Sequence, residues 1–258
     1  MRPVLAALVA FALSLAAVAC QPASQDAPPQ ARAIVDSAIA AHGGAVLDRA
    51  VVSFDFRGTD FRLRQDGGAF RFQRTLTDSL GRTVRDVLSN DSLYRTVNGA
   101  RVDLSEDERR SVETAVNSVA YFALLPHPLS DPAVQATYDG RDTLRGIPYH
   151  RIRVTFQQEG GGRDWQDRFL YWFHPDTYAM DFLAYAYGFG PAEEAGTRFR
   201  EAYNVRRAQG VRFADYYNYT DTSLALDQLQ RYPELWAEDD LTLVSRVELD
   251  SVRVRPLE

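Results

Sequence analysis

Four histidines, His42, His127, His150 and His174, are the side chains here best able to move a proton near neutral pH, and they lie far apart in the chain. None has a second ligand-type residue at the spacing a zinc site uses, so no metal is expected. His42 reads as a helix-end residue and His127 as part of the stop made by Pro126 and Pro128. His150 and His174 fall where neighbouring strands could bring them together with a carboxylate, the one arrangement that would allow acid–base work. The sequence has no His-Glu-x-x-His, no Gly-x-Ser-x-Gly and no Gly-x-Gly-x-x-Gly after a strand, and the run Gly160-Gly161-Gly162 reads as a hairpin loop. All 29 basic residues are arginine, which removes Schiff-base and phosphate-loop lysines from consideration. No cofactor is implied.

The single cysteine, Cys20, excludes intramolecular disulfides, multi-thiolate zinc sites and a cysteine nucleophile in a folded domain. Its place explains it. Met1-Arg2-Pro3 is a short positive start, Val4 to Val18 is almost wholly apolar, and Ala17-Val18-Ala19-Cys20 resembles the cleavage and acylation site of bacterial lipoproteins, with Ala17 where Leu is more usual. An apolar run of this length is shorter than the roughly 20 residues of a spanning helix. The expectation is a signal peptide at 1–19, a lipid anchor at Cys20 with a flexible Pro/Ala/Gln tether to residue 30, and one β-rich domain over 31–258. Gln21, rather than Asp, after the anchor favours the outer membrane by analogy with enterobacterial sorting. Loss of Arg2 with the signal takes the formal charge from −6 to −7, a balance that repels nucleic acid.

The most suggestive constellation comes from counting alternate residues along the late strands. Trp165, Phe169 and Tyr171 share a face with one another, Asp181 with Tyr185, Glu201 with Tyr203, and Asp215 with Tyr217. If these faces coincide, one wall mixes aromatics with carboxylates and could line a ligand cavity. The competing reading turns the carboxylates to solvent, in cross-strand ion pairs with arginines such as Arg168, Arg198, Arg200 and Arg212.

The elements that would carry such a wall are legible. Ile34, Val35, Ala38 and Ile39 have helical spacing over 31–41, and Gly43-Gly44 suits a left-handed cap. Alternation then marks strands from Val52 onward, with Asn98-Gly99 as a hairpin turn. Ser105 and Glu108 form a capping box for a second helix whose stripe is Val112, Ala115, Val116, Val119, Ala120 and Ala123. Strands follow near 134–139, 149–157, 165–173, 178–187, 197–205, 211–220 and 241–254. The expected fold is mainly β with two principal helices, a strongly curved antiparallel sheet forming an incomplete barrel wrapped over helices.

Several phrases carry a resemblance: Ala41-His42-Gly43-Gly44, Gly146-Ile147-Pro148-Tyr149-His150, Tyr171-Trp172-Phe173-His174, and Gly196 to Asn204 with Gly210 to Tyr216. The chain from about Ile34 to Leu249 is similar to an uncharacterised lipoprotein family, a domain of unknown function, of Bacteroidetes-type bacteria. More distantly it resembles the LolA/LolB-like periplasmic lipoprotein carriers, which implies an incomplete barrel and a lipid or other hydrophobic ligand. Three function classes follow: an envelope binder or carrier of such a ligand, a hydrolase-like enzyme using carboxylates and histidines of the same cavity, and a non-catalytic assembly partner at the outer membrane.

Overall fold

Helix α1 (Ala31–Ala41) buries the expected stripe Ile34, Val35 and Ala38. In the computed structural model, residues 31–189 and 194–258 are described; Cys20, the leader 1–19 and the tether lie outside the described residues. Gly43 (φ 85°) turns the chain into the short helix α2 (Gly44–Leu47). A Cβ at Gly43 would stand 2.9 Å from the Gly210 carbonyl oxygen and the Val211 Cα, so glycine is required both by the backbone angle and by the approach of this turn to a distant hairpin.

Six strands then run as a meander: β1 (Arg49–Phe56), β2 (Thr59–Asp66), β3 (Ala69–Thr77), β4 (Thr83–Ser89), β5 (Leu93–Val97) and β6 (Ala100–Val102). The Asn98-Gly99 turn has both residues at positive φ, 48° and 85°, and pairs Val97 with Ala100. Ser105 caps α3 (Glu106–Leu124) with the full reciprocal capping box to Glu108. A 3₁₀ turn at His127–Ser130 follows.

The second half comprises β7 (Val134–Leu144), β8 (Ile147–Phe156), β9 (Arg168–Phe173), β10 (Met180–Tyr187), β11 (Gly196–Ala208), β12 (Val211–Thr220), α4 (Tyr232–Ala237), β13 (Thr242–Val247) and β14 (Asp250–Pro256). Two seven-stranded antiparallel sheets result, in the orders β14-β1-β2-β3-β4-β5-β6 and β13-β12-β11-β10-β9-β8-β7. Neither closes into a barrel, and the architecture is the curved, mainly β half-barrel expected.

The strand expected over 241–254 is two. Asp215 accepts the Leu249 N–H at 3.0 Å, and beyond this corner the chain leaves the second sheet to pair with β1 in the first. Trp165 is likewise outside β9, in a turn before it, because pairing with β8 runs only from Phe169 to Phe173.

Helix α3 lies on the first sheet and presents its other side to the second. Val112, Val116, Ala120 and Leu124 pack with Val52, Phe54, Phe61, Leu63 and Phe72, whereas Tyr121 and Phe122 join the core of Ile152, Val154, Phe169, Tyr171 and Leu183. The opposite face of the second sheet is buried too, with Trp172, Phe182 and Phe199 under Leu229, Tyr232 and Leu235. Both faces of β9 are therefore apolar for a structural reason, and only one of them meets α3.

Candidate functional site

The register decides which side chains share a wall. Phe169 pairs with Tyr185 and Tyr171 with Leu183, so these residues do share the face toward α1 and α3. In the next strand Tyr185 pairs with Arg198 and Leu183 with Arg200; then Arg200 pairs with Asn218 and Ala202 with Tyr216. The inner face thus continues through Arg200, Ala202, Ala214, Tyr216 and Asn218. Glu201, Tyr203, Asp215 and Tyr217 do not belong to it, and the expected mixed wall divides between the two sides of the sheet.

Each divided residue has an occupant. Glu201 is buried, ion-pairs with Arg145 and accepts from Trp236 Nε1 at 3.1 Å and the Tyr219 hydroxyl at 3.3 Å. Asp215 accepts from Asn204 at 2.6 Å and Arg206 at 3.0 Å besides Leu249. Tyr203 stacks on Tyr217 with centroids 4.2 Å apart and donates to Glu248 at 2.6 Å. Asp181, beside an irregularity in β10, takes the Tyr149 hydroxyl at 2.9 Å and Arg212 Nη2 at 2.6 Å. Of the aromatics left on the inner face, Tyr171 is wholly buried, its hydroxyl 2.8 Å from that of Tyr121.

His150 and His174 do not meet a carboxylate together. His150 is buried beside Tyr138 with its Nδ1 unpartnered, and burial, then Arg141, lowers its pKa. His174 packs edge-on to Tyr149, and its Nδ1 accepts the Asp176 and Thr177 N–H groups within its own turn. Among the described residues no group of three or more His, Cys, Asp or Glu is placed to hold a metal ion.

A cavity of about 200 Å³ does open between α3 and the two sheets. Helix α3 contributes Val119, Phe122 and Ala123; β12 contributes Arg212 to Ala214, Tyr216 and Asn218; β11 contributes Arg200; β13 and its corner contribute Ser245, Val247 and Leu249. Phe56 and the exposed Arg57, at the β1–β2 turn, stand at its rim. The lining contains three arginines and no carboxylate. The volume exceeds the roughly 150 Å³ that accepts benzene and falls below the roughly 300 Å³ at which drug-sized pockets begin.

At the closed end stands His42, 2 % exposed. Its Nδ1 lies 2.8 Å from the Ala38 carbonyl, and its Nε2 accepts from the Met180 N–H at 3.3 Å with Arg212 Nη1 at 3.4 Å. The ring is therefore the neutral tautomer protonated on Nδ1. Burial first, and Arg212 second, lower its pKa to about 4. Arg212 is tied down further by Asp181 and the Met180 carbonyl at 3.2 Å. The sequence identified none of His42, Arg200 or Arg212 as site residues. The only signal lay in the phrase Ala41-His42-Gly43-Gly44, where a histidine precedes the glycines that let this turn touch β12. The two buried arginines are hidden among 29.

No helix among the described residues is long and apolar enough to cross a membrane. No curated protein matches the chain. Among solved structures, it is similar to a DUF1329 family protein from Desulfovibrio piger, at 10 % identity over 87 % of this chain and 92 % of that one, with TM-score 0.45. It is also similar to the Mycobacterium tuberculosis lipoprotein LppX, at 14 % identity over 60 % and 87 % of the two chains with TM-score 0.27, and to MucB, at 13 % over 78 % and 62 % with TM-score 0.28. A family model matches residues 10–249, nearly the whole length, and the chain belongs to the family of unknown function DUF6503.

Proposed function

We propose that this chain is an envelope lipoprotein, processed after residue 19 and anchored through Cys20 with the outer membrane as its address, whose domain over 31–258 binds or carries a hydrophobic ligand. The observation that carries this reading is the cavity between α3 and the sheets, walled by Val119, Phe122, Ala123, Phe213 and Leu249 where a packed core would leave no room. Its volume seats one end of a lipid, and the open side by Phe56 and Arg57 gives the rest of the chain a way out. The alternative of a hydrolase working through paired carboxylates and histidines loses support, since Glu201 and Asp215 are engaged elsewhere and the His150 and His174 rings pack against different neighbours, Tyr138 and Tyr149.

Filling the cavity tests the reading. Ala123 is half-buried on α3, and Ala123→Leu keeps a good helix former while adding apolar volume inside the space. Uptake of an apolar fluorescent probe should fall about ten-fold or more, with the melting temperature unchanged or raised, because a void is filled rather than a core overpacked. Undiminished uptake by a variant that melts normally would place the ligand elsewhere. The anchor is tested by Cys20→Ser, which should abolish incorporation of labelled fatty acid and leave the protein unprocessed or soluble. Normal labelling of that variant would end the anchor assignment.

A further inference from the structure

Of the three arginines lining the cavity, Arg200 stands apart. It is 8 % exposed, and its partners are neutral: Nη2 donates to the Tyr185 hydroxyl at 3.0 Å and Nε to Asn218 Oδ1 at 3.4 Å. Its guanidinium lies 4.0 Å from the centroid of the Phe122 ring. No carboxylate of the described residues comes within 4.0 Å of it, in contrast to Arg212, which is paired with Asp181. A guanidinium carries five N–H donors, and these two bonds leave the rest without a protein acceptor among the described residues. A buried cation without a counter-charge is expensive, and proteins seldom keep one unless something anionic joins it. The Tyr216 phenol, which also lines the space, is subject to the fields of Arg212 and Arg200, with Asp181 acting against them. This positive end is built into a chain whose overall charge is negative.

We infer that the cavity binds an anionic amphiphile, its carboxylate or phosphate oxygens held by Arg200 with Arg212 and Tyr216 beside them, and its single tail laid against Phe122, Val119 and Phe213. The inference rests on the carrier reading and names the ligand class for the same site. An oxyanion supplies the counter-charge that the protein omits, and the fork of the guanidinium meets two oxygens at once. The volume fits a head group with its first few carbons, and Arg57 at the rim draws anions toward the opening.

The test uses calorimetric titration of residues 21 to 258 of the chain with decanoate, decyl phosphate, decan-1-ol and decylamine, and with acetate and inorganic phosphate as head groups without a tail. The parent protein should bind decanoate or decyl phosphate at least ten-fold more tightly than decan-1-ol, and should not measurably bind decylamine. Arg200→Met, which keeps the apolar stem, should erase the preference by weakening the anionic ligands ten-fold or more while leaving decan-1-ol unchanged. Without ligand it should melt no lower than the parent, because an uncompensated charge has been removed. A purely structural arginine would show the reverse, early melting with the preference intact, and that result overturns the inference. Arg200→Lys, retaining charge but losing the fork, should bind with intermediate strength. Equal binding of decanoate and decan-1-ol by the parent overturns the anionic class while leaving the carrier reading standing. Binding of no tailed ligand at all removes both. Acetate or inorganic phosphate binding as tightly as the tailed compounds overturns the amphiphile, because the site would then take a free anion.

Discussion

Replacing Asp86 by alanine is expected to cost about 3 to 5 kcal/mol of folding stability, from a total that for domains is typically about 5 to 15. Asp86 has no exposed surface, and the register of β3, β4 and β5 sets Arg74 and Arg95 on either side of it. Arg74 Nε donates to it at 2.8 Å, and Arg95 donates through Nε at 2.7 Å and Nη2 at 3.0 Å. Alanine removes three charge-assisted bonds and leaves two guanidinium groups across one gap, on the face where Phe72 and Leu88 pair below α3. The arginine side chains keep 20 % and 24 % of their surface, so partial escape to water holds the loss toward the lower figure. For a chain of this size about 3 kcal/mol corresponds to a melting point lower by roughly 6 to 12 °C. Denaturant titration should show the same loss with an unchanged slope. A variant within about 1 kcal/mol of the parent would show that the two arginines are satisfied without Asp86. Replacing the whole triad, Asp86→Leu with Arg74→Met and Arg95→Met, should recover most of the loss, since apolar replacement of a complete buried ion cluster is often neutral.

Within single elements the sequence was a good guide, and between elements it was not. The capping box at Ser105 and Glu108, the Asn98-Gly99 turn and the stripe of α3 are local rules, each settled by residues a few positions apart, and each is found in the structure. The alternation in β9 also holds, with Phe169, Tyr171 and Phe173 on one face and Leu170 and Trp172 on the other. Alternation says nothing about phase from strand to strand. Tyr185 could be matched to either parity of β11, and the pairing with Arg198 sends Glu201 and Tyr203 to the far side. A register shift between Tyr203 and Arg206 adds a second break that no glycine or proline announces. Arg200 is next to Glu201 and Arg212 next to Phe213, so alternation sets both arginines on the face opposite the expected wall, where the cavity is not expected. A buried arginine breaks the rule on which a face assignment depends, and such breaks are commonest at functional sites.

Between pH 6.5 and 4 the folded protein should lose about 3 kcal/mol of stability through His42 alone. The ring is held neutral because protonation would place a cation in a buried site against Arg212, with Arg207 adding to the repulsion; the hydrogen bond to the Ala38 carbonyl and the charge of Asp181 oppose this without overcoming it. Its Nε2 would also lose its role as acceptor for the Met180 N–H. In the unfolded chain the same ring titrates near its ordinary value, so below about pH 6.5 the unfolded state binds the proton that the folded state refuses. Stability attributable to His42 is therefore complete above that pH, declines as pH falls toward 4, and is fully lost below it, where both states are protonated. The comparison that isolates this contribution is stability against pH for the parent and for His42→Gln, whose side chain stays neutral throughout. Carboxylates held low by their partners, such as Asp66 and Asp78, titrate alike in both proteins and cancel in the difference. The parent should show the steeper fall between pH 6.5 and 4, with the gap between the two curves changing by about 3 kcal/mol across that window. Parallel curves would mean that the folded protein does not lower the pKa of His42 and that the ring is not held neutral by burial against Arg212. Since Arg212 is also the second charge at the ligand site, an anionic amphiphile bound there would favour the protonated ring. Decanoate loses its own charge alike against both proteins, so its saturation should raise the apparent pKa of His42 and narrow the gap between the parent and His42→Gln curves.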